Sequence, residues 1–200
     1  MLIALSGIDG CGKTVQVTML EERLKAAGQR VVVTKAYDDI AKVACRPFME
    51  TWTDDPAIAF LFQALHAQQY ACTRDALAAG NLVIADRWDE SYLAYHRSFG
   101  FLSGADNDSP RDLLNQLAFR DLVPDLGFII VVPPEVARRR RMSRGQVERF
   151  EDRPDEYYER IQDAYARIAE ERNWYMLDGR KTPNDIHEEL FACARSTLHL

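Results

Sequence analysis

The sequence predicts an α/β fold built on a doubly wound, five-stranded parallel sheet with flanking helices. Three observations carry that prediction. Short apolar or β-branched runs alternate with longer amphipathic stretches along the whole chain. The run Phe128-Ile129-Ile130-Val131-Val132 is apolar at every position, as a strand covered on both faces demands. Most glycines and prolines, Pro47 apart, fall between the runs rather than inside them, where they stop or start helices.

In order, Leu2-Ile3-Ala4-Leu5-Ser6 reads as a buried strand, followed by a Gly-rich turn and a helix over residues 13–27 that Gly28 closes. Val31-Val32-Val33-Thr34 is a second strand, and residues 40–50 carry a helical pattern. Pro56 opens a long helix running to residue 79, with Gly80 as its stop. Leu82-Val83-Ile84-Ala85 forms a third strand that ends on Asp86-Arg87. Helices are expected over 90–97 and, started by Ser109-Pro110, over 111–119, with a polar, loop-like segment at 100–108 between them. The fourth strand, 128–132, leads through Pro133-Pro134 into an arginine-laden helix. Another helix begins near Pro154, Trp174-Tyr175-Met176-Leu177 makes the fifth strand, and Thr182-Pro183 starts the last helix.

Two hundred residues without a repeat, linker or low-complexity segment read as one domain, residues 1–200. Lys plus Arg number 25 against 31 Asp plus Glu, a net charge of −6, which argues against a general binder of nucleic acid or anionic membrane. Cys11, Cys45, Cys72 and Cys193 are scattered and lack metal-ligand spacing, so reduced thiols and a cytoplasmic location are expected. No apolar run is long enough to span a bilayer, and the apolar start lacks the cationic region of a signal peptide.

Gly7-Ile8-Asp9-Gly10-Cys11-Gly12-Lys13-Thr14 fits G-x4-G-K-[ST] in full. The glycines let the backbone curl so that successive N–H groups face phosphate oxygens above a helix N-terminus. Lys13 reaches the β- and γ-phosphates in such loops, and the Thr14 hydroxyl takes Mg²⁺. Gly7, Gly10, Cys11, Gly12, Lys13, Thr14 and Val15 are therefore the expected ATP-binding residues. The apolar strand ending in an acid is 82–85: its Asp86 is expected to hold Mg²⁺ through water, and Arg87 to grip a second anionic group.

These residues resemble the thymidylate kinase family of P-loop nucleoside monophosphate kinases, nearly end to end. Beyond the phosphate loop, Asp86-Arg87-Trp88-Asp89-Glu90-Ser91-Tyr92-Leu93-Ala94-Tyr95-His96 is similar to the family's DR[YH]-x-x-S-x-x-A-Y-Q segment. Pro124-Asp125-Leu126 and Pro134-Glu135-Val136 resemble its R-P-D-L…D-P-E-V stretch, and Arg140, Arg144, Gly145 and Arg149 match its lid pattern. The resemblance implies a P-loop kinase fold with a short lid at about 140–153, ATP and Mg²⁺ as cofactors, and a homodimer. It implies that Arg87 holds the acceptor's 5′-phosphate and that Asp9 lies near the acceptor's sugar and phosphate. Phe62 stacks on the base and Tyr95 packs on the deoxyribose, while Arg140, Arg144 and Arg149 close over ATP. With Lys13, Asp9 and Arg87, these arginines form the expected catalytic set; Lys35, His66, Ser91 and Tyr92 complete the expected acceptor site.

The chain also departs from the family. Lys35-Ala36-Tyr37-Asp38-Asp39 stands where an R-E-P-G-G-like turn is usual, and His66 replaces the arginine that reads a base oxygen. Tyr92 occupies a small polar base-reading position, and His96 replaces the terminal glutamine. The donor half and the acceptor-phosphate grip are intact while the base-reading wall is rewritten. The expected reaction is phosphoryl transfer from ATP to a deoxynucleoside monophosphate, dTMP or a related pyrimidine. Two alternatives stand beside it: a deoxynucleoside kinase using Asp38 or Asp39 as base on a hydroxyl, and a non-catalytic nucleotide-binding module.

The local pattern yields further expectations. Arg140 and Arg144, four apart, share one helical face, with Arg138 and Arg141 directed elsewhere, toward acids such as Glu135 and Glu148. Tyr157, Tyr158 and Tyr165 belong to core or interface.

Overall fold

The computed structural model describes residues 1–97, 110–145 and 153–198. Its strands are β1 (Leu2–Gly7), β2 (Val31–Lys35), β3 (Leu82–Asp86), β4 (Leu126–Val131) and β5 (Tyr175–Asp178). They form one five-stranded sheet in the order β2-β3-β1-β4-β5, every pairing parallel. The helices are α1 (Lys13–Ala26), α2 (Asp39–Thr51), α3 (Asp55–Ala78), α4 (Asp89–Arg97), α5 (Pro110–Phe119), α6 (Pro134–Met142), α7 (Asp155–Arg172) and α8 (Pro183–Leu198).

The sheet residues explain the layering. Ile3, Leu5 and Ile84 point into a cluster with Leu20 and Leu24 of α1, Ile168 of α7 and Leu190 of α8. Their neighbours Leu2, Ala4, Val83 and Ala85 point into a second cluster with Tyr70 of α3, Trp88 and Phe119. That alternation is the period of two of a strand with both faces covered. Because β1 lies between β3 and β4, the crevice outside its carboxyl end opens where neighbouring connections diverge, the usual place for ligands in such sheets.

The helix starts follow from local chemistry. Asp38 caps α2 by accepting the Ala41 N–H at 2.8 Å, and Asp54 caps α3 by accepting that of Ala57 at 3.1 Å. Two strands are displaced from expectation: β4 spans Leu126–Val131, starting two residues before and ending one before the expected 128–132, and β5 starts one residue late. Trp174 stays outside β5 because its indole lies flat against Gly127 of β4, where an added Cβ would sit 1.8 Å from the ring. The fifth strand accordingly runs one residue further, to Asp178.

Candidate active site

The phosphate loop leaves β1 at Gly7 and enters α1 at Lys13, at the carboxyl edge of the sheet. Its shape is fixed by close approach. Gly10 has φ +90°, and a Cβ there would lie 2.4 Å from the carbonyl oxygen of Ala137 on α6. At the start of α1 the first N–H groups have no intrahelical partner and carry the positive end of the helix dipole. Lys13 and Thr14 occupy those positions; Lys13 is buried and Thr14 exposed, as is the neighbouring Val15.

The Lys13 ammonium donates to the carboxylate of Asp86 at the end of β3. Lys35, in register with Asp86 on β2, lies 3.3 Å from the other carboxylate oxygen. Burial pushes the Asp86 carboxyl up, but Lys13 and Lys35 outweigh it and hold it below the usual range. Burial also lowers the Lys13 ammonium, with Arg87 adding to the effect and Asp86 opposing it. A hydroxyl and a carboxylate are hard oxygen donors of the kind Mg²⁺ takes. Asp86 is already shared by two ammonium groups, so it fits an ion held through water better than one bound directly. Among the described residues no group of three or more His, Cys, Asp or Glu side chains is gathered. An ion here would rest mainly on nucleotide phosphates.

Beside this pair stands Arg87, whose backbone is left-handed at φ 70°. Its N–H donates to Leu5 C=O at 3.0 Å, and its C=O accepts from Gln69 Nε2 at 2.9 Å. The strained backbone is thus pinned from β1 and from α3. Its guanidinium donates to Asp9 Oδ1 at 2.6 Å and to the Tyr165 hydroxyl at 2.9 Å. The second Asp9 oxygen accepts the Tyr95 hydroxyl at 3.1 Å. Burial raises the Asp9 carboxyl, yet Arg87, Lys13 and Tyr95 together hold it ionised below its ordinary pKa.

Beneath Arg87 the polar groups continue inward. Tyr165 donates to Ser91 at 2.9 Å, and Ser91 donates to Glu90 Oε1 at 3.1 Å. The same oxygen accepts Ser6 and, at 3.0 Å, the Trp88 N–H. Burial, with the charge of Asp89, raises the Glu90 carboxyl. Ser91, expected at the acceptor, is buried behind Arg87 and used to hold Tyr165.

The residues expected to read a base form one aromatic wall. Phe62 lies 6.1 Å from Tyr37 and 6.3 Å from His66, ring centre to ring centre. His66 packs on Phe119 at 5.0 Å and meets the edge of Tyr92 at 6.2 Å, while Tyr92 lies 4.2 Å from His96. Its Nδ1 faces Gln63 Oε1 at 3.1 Å. Burial, then His96 and Arg87, bring the His66 imidazole down to about 3, so it is neutral at physiological pH.

The arginine run differs from expectation. α6 ends at Met142, so Arg144 lies in the turn beyond the helix, exposed, and shares no helical face with Arg140. Arg140 donates to Cys11 C=O at 3.2 Å and to Gly179 C=O at 3.0 Å. Arg138 pairs with Asp155 at 3.2 Å. Arg141, expected to face away, is 2% exposed and donates to Asp9 C=O at 2.6 Å. Arg149 and residues 146–152 of the expected lid lie outside the described residues. The signal for Arg141 was in the sequence: with Pro134 and Ala137 it falls on one helical stripe, the buried face of α6. Tyr165 likewise continues the buried stripe of Tyr158 and Ile161, and only its hydroxyl makes it part of the site.

The family model for thymidylate kinase matches residues 5–190. A thymidylate kinase of Halothermothrix orenii is 30% identical over 99% of this chain and 98% of its own. Those of Exiguobacterium sibiricum and Pseudomonas fluorescens are 29% identical (94% of this chain, 91% of theirs) and 32% identical (86% and 82%).

Proposed function

The chain belongs to the thymidylate kinase family, and we propose that it transfers the γ-phosphoryl group of ATP to dTMP, giving dTDP and ADP. The observation that carries this reading is a guanidinium, Arg87, presented beside the phosphate loop at one sheet edge, so that two anions can meet there. An oxygen of the acceptor's phosphate attacks the γ-phosphorus as the bond to the β–γ bridging oxygen breaks, and ADP leaves. That oxygen is already anionic, so no general base is needed.

Each residue has a role in this reading. The loop 7–13, with Thr14 and Val15, seats the ATP phosphates, and Lys13 leaves Asp86 to meet them. Thr14 and, through water, Asp86 would hold Mg²⁺, which supplies charge neutralisation between the phosphates. Arg87 holds the acceptor phosphate, with Asp9 and Tyr95 orienting it; Lys35 stands at the same edge. Phe62, His66 and Tyr92 form the wall against the base. Arg140, Arg144 and Arg149 of a lid at 140–153 bring positive charge to the transferring group and exclude water. Residues 1–200 act together as one kinase domain.

Of the two bases a hydroxyl-directed kinase could use, Asp38 is committed as the N-cap of α2 and Asp39 is the first residue of that helix. The apolar side chains Ile40, Val43 and Phe48 of α2 and Phe60 of α3 are exposed, which supports a homodimer through these helices. Sedimentation equilibrium tests it. Among the described residues no helix is long and apolar enough to cross a membrane, and we assign the enzyme to the cytoplasm.

The test is a coupled ADP-release assay over a panel of deoxynucleoside monophosphates. Turnover of dTMP is expected. A folded protein that turns over none of them rejects the reading, and a preference for another pyrimidine moves the substrate and leaves the reaction.

A further inference from the structure

We propose that Arg141 is a positioning residue that fixes Asp9, the group joining the phosphate loop to the acceptor's arginine, by holding the Asp9 backbone from α6. Three observations converge on it. Arg141 Nη1 donates to the Asp9 carbonyl oxygen at 2.6 Å. Its guanidinium lies over the ring of Tyr158 on α7, 4.2 Å from the centroid. Its stem closes against Gly10, where a Cβ would meet Arg141 Cγ at 3.1 Å.

The electrostatics are unusual for a residue that only fills space. A buried cation is costly unless matched. Among the described residues no carboxylate is paired with Arg141. It is matched by a loop carbonyl and an aromatic face. The planar guanidinium does both at once: its edge donates to the loop while its face covers Tyr158.

The consequence runs through one residue. Asp9 is held by its backbone from α6 and by its carboxylate from Arg87 and Tyr95. Arg140 holds Cys11 of the same loop from the same helix. Loss of the Arg141 contact frees the Asp9 backbone, and with it the placement of Arg87 against the loop. Misalignment of about 1 Å at a reacting centre costs roughly 100-fold in rate. This inference rests on the phosphoryl-transfer reading above.

Arg141→Met and Arg141→Lys, each alone and combined with Asp9→Asn, test it in the full-length protein. Arg141→Met is expected to lower kcat for dTMP about 30-fold while ADP affinity stays within about 3-fold, because the charged hydrogen bond is lost and the rest of the phosphate cradle remains. Arg141→Lys, which keeps a donor but not the plane, falls between Met and wild type. In the Asp9→Asn background the Met substitution adds less than about 3-fold, since the two act through one element. Additive losses, or ADP affinity falling in step with kcat, overturn the proposal. If Arg141→Met does not fold, the Lys series carries the same cycle.

A second readout does not depend on turnover. The ¹³Cγ resonance of Asp9 should titrate below the ordinary carboxylate range in wild type and move toward that range in both Arg141 variants; an unmoved titration also overturns the proposal. A wild type that turns over no monophosphate rejects the phosphoryl-transfer reading instead, and the Asp9 titration then decides Arg141 by itself.

Discussion

Lys13 and Asp86 face each other across the carboxyl edge of the sheet, ammonium to carboxylate, with Lys35 completing the cluster 3.3 Å from the second oxygen. In the proposed reading, nucleotide phosphates therefore compete with Asp86 for Lys13. Three outcomes follow for Asp86→Asn. Without Mg²⁺, ADP binds at least as tightly as to wild type, because the competing carboxylate is neutral. The further gain that Mg²⁺ brings to wild type is reduced, and kcat falls about 100-fold. Calorimetric titration with and without EDTA measures the first pair, and the ADP-release assay the last.

A guanidinium offers a phosphate a fork of donors that a single ammonium does not reproduce, and the proposed role of Arg87 depends on that fork. Arg87→Lys keeps the charge but loses the contacts to Asp9 and Tyr165, spaced for a guanidinium at 2.6 and 2.9 Å. We expect kcat/KM for dTMP to fall about 100-fold while ADP affinity stays within about 3-fold. Equal losses in both would place Arg87 on the donor side.

Gly10 separates a conformational requirement from a chemical one. Its φ of +90° disfavours any side chain, and the Ala137 carbonyl leaves no room for a Cβ at 2.4 Å. Gly10→Ala must move the loop off α6 or strain it, and we expect a loss of about 2 kcal/mol in stability together with weaker ADP binding. A urea titration and an ADP titration on the same sample check both. A variant as stable as wild type with unchanged ADP affinity would show that the loop's contact with α6 is dispensable.

Much of this architecture was legible because it rests on local chemistry. The strand at Phe128 and the phosphate loop announce themselves by apolar runs and glycine spacing; the loop lies where expected, and the strand takes in Leu126 and Gly127 and stops at Val131. Trp174 escaped because its place depends on a glycine 47 positions away that leaves room for an indole. Arg141 escaped for a related reason: an arginine in a run of four reads as a solvated face, and only the bend of the phosphate loop toward α6 makes its burial possible. Arg144 was assigned to a helix that stops two residues before it, at a point set by the turn and not by the charges. The register of Asp86, Lys35 and Leu5 across β3, β2 and β1 is a property of the sheet, and no single segment carries it.

His66 makes the fold sensitive to mild acid. Its ring is 6% exposed, packed between Phe119, Phe62 and Tyr92, with Arg87 and His96 as the charged or titratable groups that oppose a proton and Gln63 as its polar partner. Burial, His96 and Arg87 lower its pKa from 6.5 to about 3. The unfolded chain therefore takes up a proton near pH 6.5 that the native protein refuses until about pH 3. Between those values the unfolded state binds more protons, so stability falls as the pH falls. From pH 7 to pH 5 the loss from this one group is about 2 kcal/mol. Asp9 and Asp86, whose carboxyls are held low, give up their contribution only in more acidic solution, below the ordinary carboxylate range. Within the pH 7 to pH 5 window His187, also lowered by burial, contributes in the same direction, while Glu90, raised by burial, acts in the opposite one, so the His66 share is read from the difference between wild type and a His66 variant. Urea midpoints of wild type and His66→Gln at pH 7 and pH 5 separate the two histidines. The variant, which keeps a polar partner for Gln63, should lose about 2 kcal/mol less than wild type between the two pH values. Equal losses in both proteins would mean that His66 is protonated in the native wall, which then carries a cation, not a neutral ring.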